Sequence, residues 1–299
     1  MSGPGGRQSA RSFSGESGEQ MMKPHISVCI PVYQGASTLA ATLRSVLASA
    51  RADFEVVIRD NGSTDGTSDV IAGFDDPRIR HIRSEETLPL PANWRATVEQ
   101  ARGELIKVVC ADDLIHPDCL ATQATLLEDP SLALVACRRD FIDGNGRILT
   151  RNAGLPRLLG RRGVSEVARA TVRFGINPVG EPACVMFRRK DYDAIGGFDG
   201  SNVFVMDIDA WLRILTRGDM FGQPEAHAAF RIWTESFSNS HNRQQLGDHL
   251  RFLKQVANNP RYEIPAVLRH LAPAAAHVSW RAWAVRQWLW GRRSTSKVG

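Results

Sequence analysis

The sequence predicts an α/β fold, with a mainly parallel central sheet flanked by helices and a C-terminal helical extension. Two observations carry this prediction. Short β-rich apolar runs alternate with segments of helical periodicity between residues 26 and 128. The chain has 299 residues, of which 43% are hydrophobic and 23% charged, and a chain of this kind can bury a substantial core.

The first half of the chain predicts four strands, each followed by a helix. The strands are apolar runs that end in turn-forming residues; they cover residues 26–32, 54–58, 78–83 and 105–109. The helices keep apolar residues on one face; they lie near 39–47, where Ser37 or Thr38 can cap the start, and near 67–74, 91–102 and 117–128. This alternation predicts parallel strand pairing.

After Ser131 the pattern changes. We expect a hairpin over residues 132–150 that turns at 143–146, followed by a basic loop from Arg151 to Gly163. A helix near 164–174, a strand near 183–187 and a helix near 207–217 follow this loop.

Composition excludes several classes of protein. No apolar run approaches about 18 residues, so the sequence predicts no ordinary transmembrane helix. Residues 1–22 contain no apolar stretch, and we expect a disordered leader there rather than a secretory signal. Five scattered cysteines without a CxxC pair argue against a disulfide framework or a zinc site and favour a reducing cytoplasm; they are Cys29, Cys110, Cys119, Cys137 and Cys184.

The positive charge is concentrated at the C-terminus. The whole chain has a formal net charge of +5. The last 20 residues contain five basic residues and no acidic one, so the remainder is close to neutral. A neutral body argues against a general nucleic-acid binder.

Polar clusters follow three of the predicted strands. They are Pro31-Val32-Tyr33, Asp60-Asn61 and Asp112-Asp113. In open parallel sheets, ligands bind outside the carboxyl ends of the strands, so we expect the clusters to converge. Adjacent carboxylates suit a hard divalent cation that could hold a diphosphate. Taken alone, Asp112-Asp113 is equally compatible with a solvated turn.

The motifs together resemble glycosyltransferase family 2. They occur in the family's order and spacing from about residue 25 to residue 240. The segments that carry the resemblance are residues 26–33 (ISVCIPVY), 60–67 (DNGSTDGT), 111–113 (ADD) with 116–118 (HPD), 180–182 (GEP), 196–199 (GGFD), 207–213 (DIDAWLR) and 230–231 (FR) with Ser236 and Ser238.

The resemblance implies a GT-A fold and an inverting transfer of a sugar from a nucleotide sugar to a hydroxyl group. It implies a catalytic domain over residues 23–240, with a nucleotide-binding half (23–130) and an acceptor-binding half (131–240), and a C-terminal helical extension over 241–299. The implied donor is linked to UDP, dTDP or GDP, the acceptor is a saccharide or lipid-linked saccharide, and the implied pathway builds a bacterial surface polysaccharide.

Carried over by position, the resemblance also implies roles for individual residues. Pro31, Val32 and Tyr33 would border the nucleotide, Asp60 would accept a hydrogen bond from the base, and Asn93 matches a common family asparagine. Asp112 would approach the ribose or the metal, and Asp113 would be the main ligand of Mg²⁺ or Mn²⁺.

Two acidic residues of the predicted acceptor half are candidates for the site. Asp207 matches the family's catalytic acidic position, and an inverting transfer needs a general base. The alternative for Asp207 is a carboxylate that stabilises a helix N-terminus. Glu181 is expected either to bind acceptor hydroxyls or to cap a loop.

The sequence departs from the family pattern at two positions. Cys110 replaces the first acidic residue of the usual triplet, and a thiol is a poor ligand for Mg²⁺. Trp233 replaces a common histidine; it cannot bind a metal, but it could stack on a sugar or acceptor. The QxxRW motif of processive synthases is absent from the sequence, which favours a single-addition transferase.

The C-terminal segment contains four of the seven tryptophans, interleaved with arginines; they are Trp280, Trp283, Trp288 and Trp290. This composition suits peripheral contact with the inner face of the cytoplasmic membrane. It is equally compatible with a helix that packs its tryptophans on the catalytic domain or on a second subunit.

Two other functions stay open at this point. Cys110 and Trp233 are compatible with a non-catalytic relative that binds nucleotides or sugars, although the retained acidic residues argue against it. A nucleotidyltransferase can use a similar scaffold, but the segment after the first strand lacks the basic residue expected there.

Overall fold

A computed structural model of the chain describes Met1, residues 23–232 and residues 242–295. The predicted leader beyond Met1, together with Trp233, Ser236 and Ser238, lies outside these residues. In the described part, ten strands form one sheet.

The first four strands of the N-terminal half pair in parallel, as the alternating pattern predicts, whereas the fifth strand pairs antiparallel with the last strand of the chain. Its strands are β1 (Ile26–Val32), β2 (Phe54–Asp60), β3 (Ile79–Arg83), β4 (Leu105–Val108) and the short β5 (Leu114–Ile115). Its helices are α1 (Leu39–Leu47), α2 (Thr67–Ala72), α3 (Leu90–Glu99) and α4 (Cys119–Leu126). β1 is buried at every position, as expected for a strand covered on both faces.

The C-terminal half extends the same sheet. It contains β6 (Leu132–Ile142), β7 (Ile148–Ala153), β8 (Gly160–Arg162), α5 (Val164–Phe174), β9 (Val185–Arg188), α6 (Arg189–Ala194), α7 (Met206–Ile214) and β10 (Asp219–Arg231). β6 and β7 form the predicted hairpin. The segment expected to be a basic loop instead contains the end of β7 and all of β8, because β8 finds a partner in β10.

Most strands of the sheet point in one direction. β9 runs antiparallel to both β4 and β6, so β6 and β10 are parallel to the first four strands. The carboxyl ends of β1, β2, β4, β6 and β10 therefore lie along one edge, and β9 begins at that same edge. The mainly parallel α/β architecture predicted from the sequence is confirmed.

Two helices form the C-terminal extension. They are α8 (Asn242–Asn258) and α9 (Ala266–Thr295). Trp283 and Trp290 of α9 pack against Phe141 of β6, with ring centroids 5.7 and 5.3 Å from the Phe141 ring. For these two tryptophans the packing alternative is therefore correct. Within the described residues, no helix is long and apolar enough to cross a membrane.

The C-terminal end of α5 packs closely against α9. Gly175 ends α5 in the left-handed region, with φ +59°. A Cβ atom on Gly175 would lie 2.4 Å from the backbone nitrogen of Ala276 in α9. Only a residue without a side chain allows this approach, so Gly175 determines how closely α9 packs.

Gly175→Ala is expected to lower the free energy of unfolding by about 2 kcal/mol or more, because it combines backbone strain with overpacking. Urea denaturation followed by tryptophan fluorescence measures the change. Gly196→Ala is the matched control: Gly196 has φ +75° and open space around its Cβ position, so it reports the strain alone. Equal losses in the two variants would show that α9 does not press on Gly175.

Candidate active site

The loops at the carboxyl edge of the sheet bring together the residues that the sequence singled out in both halves of the chain. Cys110, Asp112 and Asp113 follow β4, Glu181 precedes β9, and Asp207 lies in the first turn of α7. Electrostatic interactions link these groups: Glu181 acts on both Asp113 and Asp207, and Asp207 acts on Cys110. The edge is therefore a concentrated acidic site.

Cys110, Asp112 and Asp113 each place one potential ligand atom within 4.8 Å of the others. The Asp113 side chain is buried, and its Oδ2 has no hydrogen-bond partner. Burial raises the pKa of the Asp113 carboxyl well above its ordinary value, and the charges of Asp112 and Glu181 raise it further. An orphaned, buried carboxylate oxygen beside a second carboxylate fits a divalent cation that prefers oxygen ligands.

Cys110 fits such a cation less well. Burial raises the pKa of its thiol well above the ordinary value, and the nearby carboxylates of Asp113 and Asp112 add to the rise. Metal ligation by a cysteine requires a thiolate, and a thiolate suits soft cations better than Mg²⁺. The two aspartates are the better ligand set.

Arg231, at the end of β10, anchors this acidic turn. Its backbone N–H donates to Asp113 Oδ1 at 3.3 Å, and its Nε donates to the Asp112 carbonyl at 2.9 Å. Its Nη1 donates to the carbonyls of Asp143 and Gly144 at the tip of the β6–β7 hairpin. One buried guanidinium thus joins the turn after β4 to the hairpin.

Asp207 is held by two hydrogen bonds. The Ile208 N–H donates to its Oδ1 at 2.7 Å, and Asn177 Nδ2 donates to its Oδ2 at 2.8 Å. Burial raises the pKa of Asp207 to about 7; the Glu181 charge raises it as well, whereas the two hydrogen bonds lower it. A carboxyl group that titrates near neutral pH can accept a proton from a hydroxyl group and retain it.

Asn177 is oriented by its own loop. Its Oδ1 accepts hydrogen bonds from the backbone N–H groups of Val179 and Gly180, each at 3.0 Å. The amide group therefore presents its nitrogen, and not its oxygen, to Asp207. Asn177 is a positioning residue that keeps the carboxylate of Asp207 in place.

Replacing Asn177 by leucine is expected to shift the acid limb of the kcat/KM profile to higher pH. The substitution removes a hydrogen bond that stabilises the ionised form of Asp207, so the pKa of Asp207 rises. The measurement is a pH–rate profile of sugar transfer. A variant that is slower at every pH with an unmoved limb would show that Asn177 only supports the loop.

Glu181 interacts electrostatically with both Asp113 and Asp207 and forms an ion pair with Arg139 of β6. Arg139 is largely buried, and burial lowers its pKa, but the negative charge of Glu181 acts against this effect and the pKa is raised. Part of the Glu181 carboxylate is thus engaged within the protein. The predicted acceptor contact stays a prediction.

The loops after β1 and β2 are joined by side-chain hydrogen bonds. The N–H groups of Gln34 and Gly35 donate to Ser63 Oγ and Thr67 Oγ1. Of the three residues expected to border the nucleotide, Pro31 and Val32 are buried and Tyr33 is 53% exposed. Tyr33 is therefore the member whose side chain is available for contact.

Asp60 is fully buried and already bound. Its carboxylate accepts hydrogen bonds from the Ser63 N–H and Ser68 Oγ and forms an ion pair with Arg83. Burial alone would raise the pKa of Asp60, but these interactions outweigh it and lower the pKa. Both carboxylate oxygens of Asp60 therefore already accept hydrogen bonds from groups of the protein.

Asn93 is also buried, and its Oδ1 accepts a hydrogen bond from Arg59 Nη1 at 2.7 Å. The same nitrogen donates to Asn61 Oδ1 at 3.1 Å. Arg59 therefore connects the loop after β2 to helix α3. The predicted roles of Asn93 and Asp60 in nucleotide binding stay predictions.

Sequence reasoning missed three site residues, namely Asn177, Arg139 and the anchoring role of Arg231. Arg231 belongs to a segment that carried the family resemblance, so its position was visible. The turn-forming Asn177-Pro178 pair was a signal of a loop. Nothing local predicts that Arg139 pairs with Glu181, since the two residues lie on separate elements.

Comparisons with known proteins agree with this geometry. The model of the family described as "Glycosyl transferase family 2" matches residues 27–196. Protein MT1568 of Mycobacterium tuberculosis (strain CDC 1551 / Oshkosh) is 31% identical over 278 residues, covering 89% of this chain and 83% of MT1568. TuaG of Bacillus subtilis (strain 168), named as a teichuronic acid biosynthesis glycosyltransferase, is 25% identical over 222 residues, covering 73% of this chain and 83% of TuaG.

Among solved structures, the mannosyltransferase PcManGT from Pyrobaculum calidifontis, in complex with GDP-Man and Mn²⁺, superposes with a TM-score of 0.61. The two chains are 20% identical, and the match covers 89% of this chain and 76% of PcManGT. At this identity the likeness shows that the two chains share a fold.

Proposed function

Because the chain belongs to glycosyl transferase family 2, we propose that this GT-A glycosyltransferase inverts the transferred sugar, with Asp207 as the general base. The donor is a nucleoside diphosphate sugar, and the acceptor is a hydroxyl group of a saccharide or a lipid-linked saccharide. The observation that carries the proposal is Asp207: a half-buried carboxyl group with a pKa of about 7, held by Asn177 at the acidic edge of the sheet.

The proposed reaction is a single displacement. The Asp207 carboxylate takes the proton of the acceptor hydroxyl, and the acceptor oxygen attacks the anomeric carbon. The bond from that carbon to the diphosphate oxygen breaks, and its electron pair leaves with the nucleoside diphosphate. Attack from the face opposite the leaving group inverts the configuration, and no covalent enzyme intermediate is needed.

Asp113 and Asp112 are the residues that would hold a divalent cation. Such a cation, Mg²⁺ or Mn²⁺, supplies Lewis-acid stabilisation of the charge that develops on the leaving diphosphate. The unpartnered Asp113 Oδ2 supports this assignment. Arg231 keeps both aspartates in position through its hydrogen bonds to the turn.

The acceptor-binding half of the proposed catalytic domain begins with β6. Glu181 is fixed by its ion pair with Arg139, its charge acts on both Asp113 and Asp207, and its carboxylate is the candidate for binding acceptor hydroxyls. We place the enzyme in bacterial surface polysaccharide biosynthesis, at the inner face of the cytoplasmic membrane. The relative TuaG, which carries the name of a teichuronic acid enzyme, supports this placement.

The first test is calorimetric binding of UDP, dTDP, GDP and CMP, each with Mn²⁺ and with EDTA. We expect one nucleoside diphosphate to bind and EDTA to weaken its binding. The nucleotide that binds selects the sugar donors for a transfer assay, in which the anomeric configuration of the product is read by NMR. A product with retained configuration would overturn the proposed mechanism, and binding of no nucleotide would favour a non-catalytic relative.

A further inference from the structure

The outward face of α9 carries a continuous stripe of aliphatic side chains. They are Val267, Leu271, Val278, Val285 and Leu289, which are between 49% and 68% exposed. On an ideal helix with roughly 100° of rotation per residue, five side chains at these positions fall within an arc of about 40°; Pro273 lies inside the helix between Leu271 and Val278, so this arc describes best the segment from Val278 onward. We call the five side chains the aliphatic stripe. Scattered exposed apolar residues are ordinary, but an aligned set along one helix marks an interaction surface.

The stripe is separate from the face that packs on the catalytic domain. Ala272, Ala276 and Trp290 of the same helix are buried, and on a helix they point more than about 90° away from the stripe. The helix thus uses one face to hold the domain and leaves the other uncovered in the described part of the chain.

The charges of this segment indicate what covers the stripe. From Ala266 to the C-terminus the sequence contains six basic residues and no acidic one. Measured around the helix axis from the centre of the stripe, Arg281 lies about 60° to one side and Arg286 about 80° to the other. Both side chains are exposed. An apolar stripe bordered by arginines complements a surface that is anionic above and apolar below, which is the chemistry of an anionic lipid leaflet.

A groove of about 440 Å³ continues the stripe at its C-terminal end. Leu289 belongs to both, and the groove is also lined by Trp290, Arg286 and Arg151 of β7. Arg151 is 75% exposed and pairs at 3.7 Å with Asp140; Arg286 lies over the Trp290 ring. Two guanidinium groups can donate hydrogen bonds to the phosphate of a lipid headgroup. The apolar walls of the groove can contact the first part of the lipid's acyl chains.

We propose that α9 docks this enzyme in the plane of an anionic membrane, with the aliphatic stripe in the headgroup region and the groove on a lipid phosphate. A second copy of the chain is the weaker occupant, because two acid-free helices would bring like charges together. The inference deepens the proposed function, since it suits a lipid-linked acceptor. The docked helix is also connected to the proposed site: Phe141 of the hairpin packs on Trp290 of α9, and Arg231 holds the tip of the same hairpin to the acidic turn.

The test is flotation of the full chain with vesicles of phosphatidylcholine alone and with vesicles that also contain phosphatidylglycerol. We expect binding to the anionic vesicles only, weakened by added salt. Val285→Glu should reduce this binding about tenfold or more, because it places a carboxylate in the stripe. Ile176→Glu is the matched control, since Ile176 is an exposed aliphatic residue outside the stripe, and it should bind like the unmodified chain.

Equal vesicle binding by Val285→Glu and the unmodified chain would overturn the proposal. A second result would also overturn it: the unmodified chain forms dimers and does not bind vesicles, and Val285→Glu makes it monomeric. In that case a second copy of the chain would cover the stripe. Circular dichroism checks that both variants fold. The assay uses neither donor nor acceptor, so it fails or succeeds independently of the nucleotide-binding test of the proposed function.

Discussion

Asp207→Asn is expected to lower kcat/KM for sugar transfer by about 1,000-fold or more, because the amide group cannot accept the proton of the acceptor hydroxyl. Binding of the nucleoside diphosphate should be nearly unchanged, since the predicted donor contacts lie on other loops. Asp209→Asn is the control: Asp209 is two residues away, but it forms an ion pair with Arg213. Equal losses of transfer and nucleotide binding in Asp207→Asn would contradict the assignment of Asp207 as the base.

The pKa of Asp207 makes a related expectation about pH. The base must be ionised, so kcat/KM should rise with pH through about 7. The pKa of Asp207 in the folded protein lies above its ordinary value of 3.8. Its contribution to the free energy of unfolding is therefore fully present below pH 3.8 and is lost as the pH rises through about 7. Asp207→Asn should therefore be at least as stable as the unmodified protein above pH 7, measured by thermal unfolding.

Asp113→Asn is expected to weaken metal-dependent binding of the nucleoside diphosphate by about 100-fold or more, because it removes the carboxylate with the unpartnered oxygen. Titration calorimetry with Mn²⁺ and with EDTA measures the effect. EDTA should bring the unmodified protein to the affinity of the variant and leave the variant unchanged.

Cys110→Ser is the matched control for Asp113→Asn. The thiol of Cys110 lies in the same cluster, and its loss should change the affinity by no more than about threefold, because sulfur is a poor ligand for a cation that prefers oxygen. A variant that loses as much as Asp113→Asn would make Cys110 a ligand. Because the pKa of the Asp113 carboxyl is raised, a proton competes with the metal, and Mn²⁺ binding by the unmodified protein should strengthen as pH rises.

Much of the fold was visible in the sequence because the signals are local. The apolar run from Ile26 to Val32 predicted β1 with both boundaries. The turn-forming residues 143–146 predicted the β6–β7 hairpin, where the Gly146 N–H donates to the Asp143 carbonyl. Buried parallel strands and tight turns leave such patterns because they depend on neighbouring residues.

Features that depend on distant partners could not be predicted in this way. The placement of β9 between β4 and β6 depends on two strands far away in the sequence. For α9, the tryptophan and arginine content of the sequence did not show which side chains of the helix face outward. The structure turns Trp283 and Trp290 toward Phe141 and exposes the aliphatic stripe instead.

By itself the sequence determined the α/β class, the acidic residues at the strand ends and the family, because these depend on residue type and on spacing along the chain. Only the tertiary structure decided which groups share one electrostatic environment. Burial raises the pKa of Asp207 to about 7, and Asn177, 30 residues earlier in the chain, holds its carboxylate. Desolvation and hydrogen bonding depend on every group packed around a site, and that environment forms only when the chain has folded.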